Sequence, residues 1–135
     1  MSLLNETHEP ALRSWLASAN LAGCDFPIQN LPFAVFRRGN EAWRGGVAIG
    51  DAIVDLAAVA RAGVFTGLAA EAAQAGAQDK LNALMALGPA AWSALRLALS
   101  RGLREGSPQQ GALALCLVPQ AGAQYDVPAR IGDYT

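Results

Sequence analysis

Side chains able to do chemistry are sparse in this sequence, and their spacing limits what each could do. The single histidine, His8, stands in a polar N-terminal segment with no apolar run beside it. A nucleophilic triad needs a base next to its nucleophile, whereas a lone terminal histidine is usually solvated. Ser14, Ser18 and Ser93 occur in no G-x-S-x-G elbow. Asp51 and Asp55 lie close in sequence, but a hard cation takes roughly six to eight oxygens, so a turn residue and a strand-end cap are the simpler reading. Cys24 and Cys116 match no C-x-x-C spacing and read as two inert thiols in a reducing compartment. The glycines of "RGGVAIG" fit neither a dinucleotide nor a Walker loop, which leaves turn and packing geometry. Trp15, Trp43 and Trp92 could stack on a ligand ring, but at these spacings they anchor a core or an interface. Read by themselves, the residues supply no catalytic, cofactor-binding or metal-ligating set.

The whole composition points the same way. Hydrophobic residues make up 53% of the 135 positions and charged residues 16%, with a mean hydropathy of +0.23. Such a chain is too apolar for intrinsic disorder and long enough for one core. It is also sticky enough to imply that some apolar surface meets a partner. Nucleic acid is not that partner, because the net charge is -1 and Lys80 is the only lysine. Arg37-Arg38 and Arg101/Arg104 read as solvated strand-end and helix-face charges. The N-terminus shows no basic segment followed by a long apolar run, and no apolar stretch is long enough to span a membrane. The expectation is a cytoplasmic protein.

The elements that must position these residues alternate along the chain. In "EPALRSWLAS", Leu12, Trp15 and Leu16 fall at i, i+3, i+4 and predict a short amphipathic helix or helical turn. "NLAGCDFPIQNLP" gathers Asn, Gly, Asp and Pro, which predicts an ordered irregular connection. From Phe33 the period changes to 2, with Phe33, Val35 and Arg37 on one face and Ala34, Phe36 and Arg38 on the other. Gly39-Asn40 and Gly50-Asp51 then predict two consecutive hairpin turns, joining "PFAVFRR", "WRGGVAI" and "AIVDL" into a small curved meander. After Leu56 the chain becomes alanine-rich and helical. Asp79 is placed to cap "KLNALMAL", with Leu81, Leu84 and Met85 on one face. Gly88-Pro89 opens the strongest helix, with Trp92, Leu95, Leu99 and Leu103 as its apolar stripe. Ser107-Pro108-Gln109-Gln110 has the form of a capping box for a short helix through "GALALC". The final "AQYDVPARIGDYT" returns to an extended course.

Three stretches together resemble the N-terminal part of the fumarylacetoacetase family: "SWLASAN" with "DFPIQNLPFAVFR", then "GVAIGDAIVDL", then "VPARIGDYT". "FPIQNLPFAVF" is the most specific of these, and residues 57 to 110 match only in general character. The resemblance implies an α+β fold: a small SH3-like β-barrel with helical insertions over residues 1–126, followed at 127–135 by the start of the strand into an absent C-terminal catalytic domain.

In that family the terminal phrase continues I-G-D-Y-T-D-F, and the Asp after the Thr is a metal ligand. By the resemblance, this chain stops one residue short of the first catalytic position, so Asp133 and Tyr134 carry no catalysis and the chain is a truncated or split piece. For the parent enzyme it implies hydrolysis of a carbon–carbon bond in 4-fumarylacetoacetate, giving fumarate and acetoacetate, with Ca2+ or Mg2+ as Lewis acid and a homodimeric assembly. For the 135-residue chain it implies no cofactor and no activity. The alternative is a self-standing SH3-like module that binds peptides through an aromatic groove.

Overall fold

The strands follow from the alternation that begins at Phe33. In the computed structural model, which describes Thr7, residues 9–77 and residues 82–125, β1 spans Phe33–Arg38, β2 Arg44–Ile49 and β3 Ala52–Asp55. They pair antiparallel in sequence order, with Phe33 opposite Val47 and Ile49 opposite Ala52. The Gly50-Asp51 loop is the expected two-residue turn, and Gly50 takes a φ of 56°, the left-handed region that glycine enters without a Cβ penalty. The other hairpin also forms, but its loop runs through residues 39–43, with Glu41 N donating to Arg38 O at 3.1 Å.

Both faces of this meander are covered. Paired residues share a face, so Val47, Ile49 and Val54 point to one side, where they join the main core. Phe36 and Ile53 point to the other and are equally buried. Cross-strand neighbours on that second face are crowded: a Cβ on Gly46 would run into the Phe36 ring and the Ile53 side chain.

Helices supply the layer over the first face. Asp55 ends β3 and caps α1 (Leu56–Ala62) by accepting from Ala57 N at 3.0 Å, and Gly63 at φ 64° ends that helix. The helices α2 (Gly67–Gly76), α3 (Asn82–Leu87) and α4 (Pro89–Leu103) follow, with Pro89 at the first turn of α4 as its sequence requires. Leu95, Leu99 and Leu103 are buried, and Trp92 packs at the core edge against Phe33, ring centroids 4.8 Å apart. The alanine bias also has a packing reason. Ala72, Ala73 and Gly76 are the buried positions of α2, and small side chains let the helix backbone approach the sheet at Gly45.

Two further strands complete the sheet: β4 (Leu117–Pro119) beside β3 and β5 (Ala123–Tyr125) beside β1, after the short helix α5 (Gln110–Ala114). The order is β4-β3-β2-β1-β5, all antiparallel. Consecutive strands thus occupy opposite edges. A flat sheet would hold those edges about 19 Å apart, whereas the stretch from Pro119 to Ala123 reaches only about 14 Å. The sheet must therefore curl back on itself. Among the described residues no β4–β5 pairing closes it, so the architecture they form is an α+β fold with a curled, open five-stranded sheet where a barrel was expected.

Local expectations differ from the structure in three places. Around Trp15 the backbone makes no amphipathic helix: Ser14 bridges Arg104, and Trp15 N donates to Leu103 O at 3.2 Å, so the helical turn is displaced to a 3-10 segment at Ala17–Asn20. Met85, expected on an apolar face, is about half exposed. The capping box does not form: α5 takes Gln109 as its N-cap without a side-chain cap bond, Ser107 Oγ accepts from Gln109 N at 3.1 Å, and the Gln109 side chain donates to Val64 O. Asp79, Leu81 and the segment 127–135 lie outside the described residues, as does the side chain of Leu84.

Candidate functional site

The densest polar cluster stands where β2 begins and β3 ends. Gly46 opposes Asp55 in the register, so Arg44, two positions earlier on the same face, lies alongside the Asp55 carboxylate. Arg44 Nη2 and Nε donate to Asp55 Oδ2 at 3.0 and 3.2 Å, and Nη1 donates to Glu41 Oε1 at 2.9 Å and Ala42 O at 3.1 Å. The guanidinium also sits 4.5 Å from the centroid of the Phe36 ring. Burial pulls the Arg44 pKa down, but the hydrogen bonds it donates to the two carboxylates outweigh this and leave it above its ordinary value. Glu41 is held below the ordinary carboxylate value, chiefly by its hydrogen bond to Arg44. With Asp55 Oδ1 engaged as the α1 cap, both oxygens of that carboxylate serve the fold. Composition and spacing did not reveal this cluster, because it depends on register: Arg44 and Asp55 are 11 positions apart.

The residues singled out by type are not gathered into one site. Asp51 is a turn residue whose Oδ1 accepts from Ser18 Oγ at 2.8 Å, while Ser18 Oγ accepts from Asp51 N at 3.1 Å. It lies at the opposite end of β3 from Asp55. Ser14 Oγ donates to Leu103 O at 2.7 Å, and Ser93 is exposed on α4. Trp15 Nε1 donates to Gly102 O at 2.9 Å, and Trp43 lies 4.5 Å beneath the Arg37 guanidinium. His8 is outside the described residues. Among those described, no group of three or more His, Cys, Asp or Glu could hold a metal ion, and no helix is long and apolar enough to cross a membrane.

The two cysteines are free. Burial pushes the Cys116 thiol up, the Asp55 charge adds to this, and Arg61 opposes it. A protonated, enclosed thiol is a poor nucleophile. Ellman's reagent should therefore label Cys24, which is partly exposed, in the native protein and reach Cys116 only after denaturant is added. Two fast-reacting thiols in the native state would contradict this placement.

Among the described residues, then, the candidate polar side chains cap, turn and pair within an α+β domain. Residues 29–128 match the family described as fumarylacetoacetase N-terminal, and the chain belongs to that family. It is 40% identical over 132 residues to a fumarylacetoacetase of Oryza sativa subsp. japonica, covering 92% of this chain and 30% of the relative. It is 40% identical over 115 residues to that of Arabidopsis thaliana and 41% over 117 residues to that of Homo sapiens, in both cases covering 82% of this chain and 27% of the relative. The chain thus spans under a third of the length of these curated relatives.

Proposed function

We propose that the chain is the N-terminal structural domain of a fumarylacetoacetase and that it contributes scaffold rather than chemistry. The observation that carries this reading is the match over residues 29–128 to the family's N-terminal region, with a span of 27–30% of the relatives. The whole enzyme, on this reading, hydrolyses the carbon–carbon bond of 4-fumarylacetoacetate to fumarate and acetoacetate as a cytoplasmic homodimer. Residues 1–126 form the domain, and 127–135 lead toward the catalytic part.

The sharp curl of the sheet, with β4 and β5 joined across its opposite edges, supports an SH3-like relationship. The Ca2+ or Mg2+ of the parent enzyme finds no matching donor set among the described residues. Both oxygens of Asp55 are committed and Asp51 is tied to Ser18. The tryptophans are engaged in separate contacts, so a peptide-binding groove has less support.

The purified chain is expected to show no turnover of fumarylacetoacetate and no heat of tight divalent binding in calorimetry. Turnover above background, or one site with micromolar affinity for Ca2+ or Mg2+, would overturn the scaffold reading.

A further inference from the structure

Between α1 and α2 the structure holds a pocket of about 280 Å³, lined by Val59, Ala60, Arg61, Gly63, Phe65, Ala70, Ala73 and Gln74. That is about nine water molecules' share of liquid volume at ~30 Å³ each, near the lower end of small-molecule sites. The volume exists because four of its wall positions are alanine or glycine. Val59, Phe65 and Ala73 are buried and form an apolar floor, whereas Arg61 and Gln74 are exposed and stand at the mouth.

The polar groups around the pocket favour an anion. No acidic residue lines it. Among the described residues Arg61 has no hydrogen bond or ion pair. Of the wall carbonyls, Val59 O accepts from Gly63 N and Val64 N, and Ala60 O from Gly63 N. The neighbouring Val64 O accepts from Gln109 Nε2 at 3.1 Å.

We propose that this pocket binds a small monocarboxylate with an apolar body. The carboxylate is held by the Arg61 guanidinium, whose fork matches it, with the Gln74 amide beside it. The apolar body rests against Val59, Phe65 and Ala73. This inference stands on the pocket itself and does not depend on the enzymatic reading above.

Benzoate serves as the probe and neutral benzamide as its isosteric control, each titrated into the 135-residue chain while backbone amide NMR shifts are followed. Benzoate should shift amides confined to residues 59–65 and 70–74, with a dissociation constant on the order of 1 mM for so small a ligand. Benzamide, and benzoate with Arg61→Gln, should each bind about tenfold more weakly, the loss expected for one charge-assisted contact. Ala70→Leu, which adds bulk at a residue lining the pocket, should abolish the response. Both substitutions fall at positions that are not fully buried, and an unchanged amide spectrum checks the fold. Equal responses to benzoate and benzamide, benzoate binding that survives Arg61→Gln, or shifts that lie elsewhere or never appear would each overturn the proposal.

Discussion

Replacing Ile49 with aspartate should leave the protein unfolded at room temperature. Ile49 is fully buried on the sheet face that meets the helices. Its burial contributes about 1.5–3 kcal/mol, and a carboxylate there would add several kcal/mol for a buried charge without a partner. A domain of this kind is stable by only about 5–15 kcal/mol in total. Ile49→Val is the control, with an expected loss of about 0.5–1.5 kcal/mol and a retained fold. Circular dichroism melts separate the two. An aspartate variant melting within a degree or two of the wild type would mean that β2 does not face the core.

The second large effect comes from one added methyl group. Gly45 faces α2 where that helix comes nearest, and a Cβ there would collide with the Gly76 carbonyl oxygen, with the Gly76 carbonyl carbon at 3.0 Å and the Phe33 ring at 3.1 Å. The obstacle is backbone, which cannot rotate away as a side chain can. Gly45→Ala should therefore cost about 3 kcal/mol, at the upper end for overpacking, and lower the melting temperature by about 10 °C. Gly111, inside α5, has nothing within 4 Å of its added Cβ, so Gly111→Ala should instead stabilise by about 0.5–1 kcal/mol. Equal and small effects at the two positions would mean that α2 does not press on the sheet at Gly45.

These contrasts show where the sequence was readable. Strong local signals survived folding: the alternation from Phe33, the Gly50-Asp51 turn, the Asp55 cap and Pro89 at the start of α4 all act within a few residues of themselves. The i, i+3, i+4 spacing of Leu12, Trp15 and Leu16 was misread because it lost to a long-range bridge between Ser14 and Arg104 that no local pattern encodes. Leu117–Pro119 was assigned to no strand, yet it forms β4 at the sheet edge, where proline is tolerated. That the sheet stays open was likewise beyond local reading, since it depends on how β4 and β5 are placed after a three-residue connection. Asp51 and Asp55 were read correctly as turn and cap, whereas the Arg44–Asp55 pair required the β2–β3 register. Arg96 was also overlooked. Its donation to Gln29 O at 2.6 Å and Asn30 O at 2.9 Å fastens the irregular segment before β1 to α4, a contact between elements far apart in sequence.

The central claim is that this domain is scaffold for a catalytic region, and reconstitution tests it most directly. The chain would be mixed with the separately expressed C-terminal remainder of the Oryza sativa relative, and the hydrolysis of fumarylacetoacetate followed with each piece alone and with both together. The account predicts no turnover from this chain alone and more turnover from the mixture than from the remainder alone, with a complex of the two pieces visible in sedimentation. Turnover by this chain alone, or a remainder whose activity and sedimentation are untouched by adding it, would contradict the account.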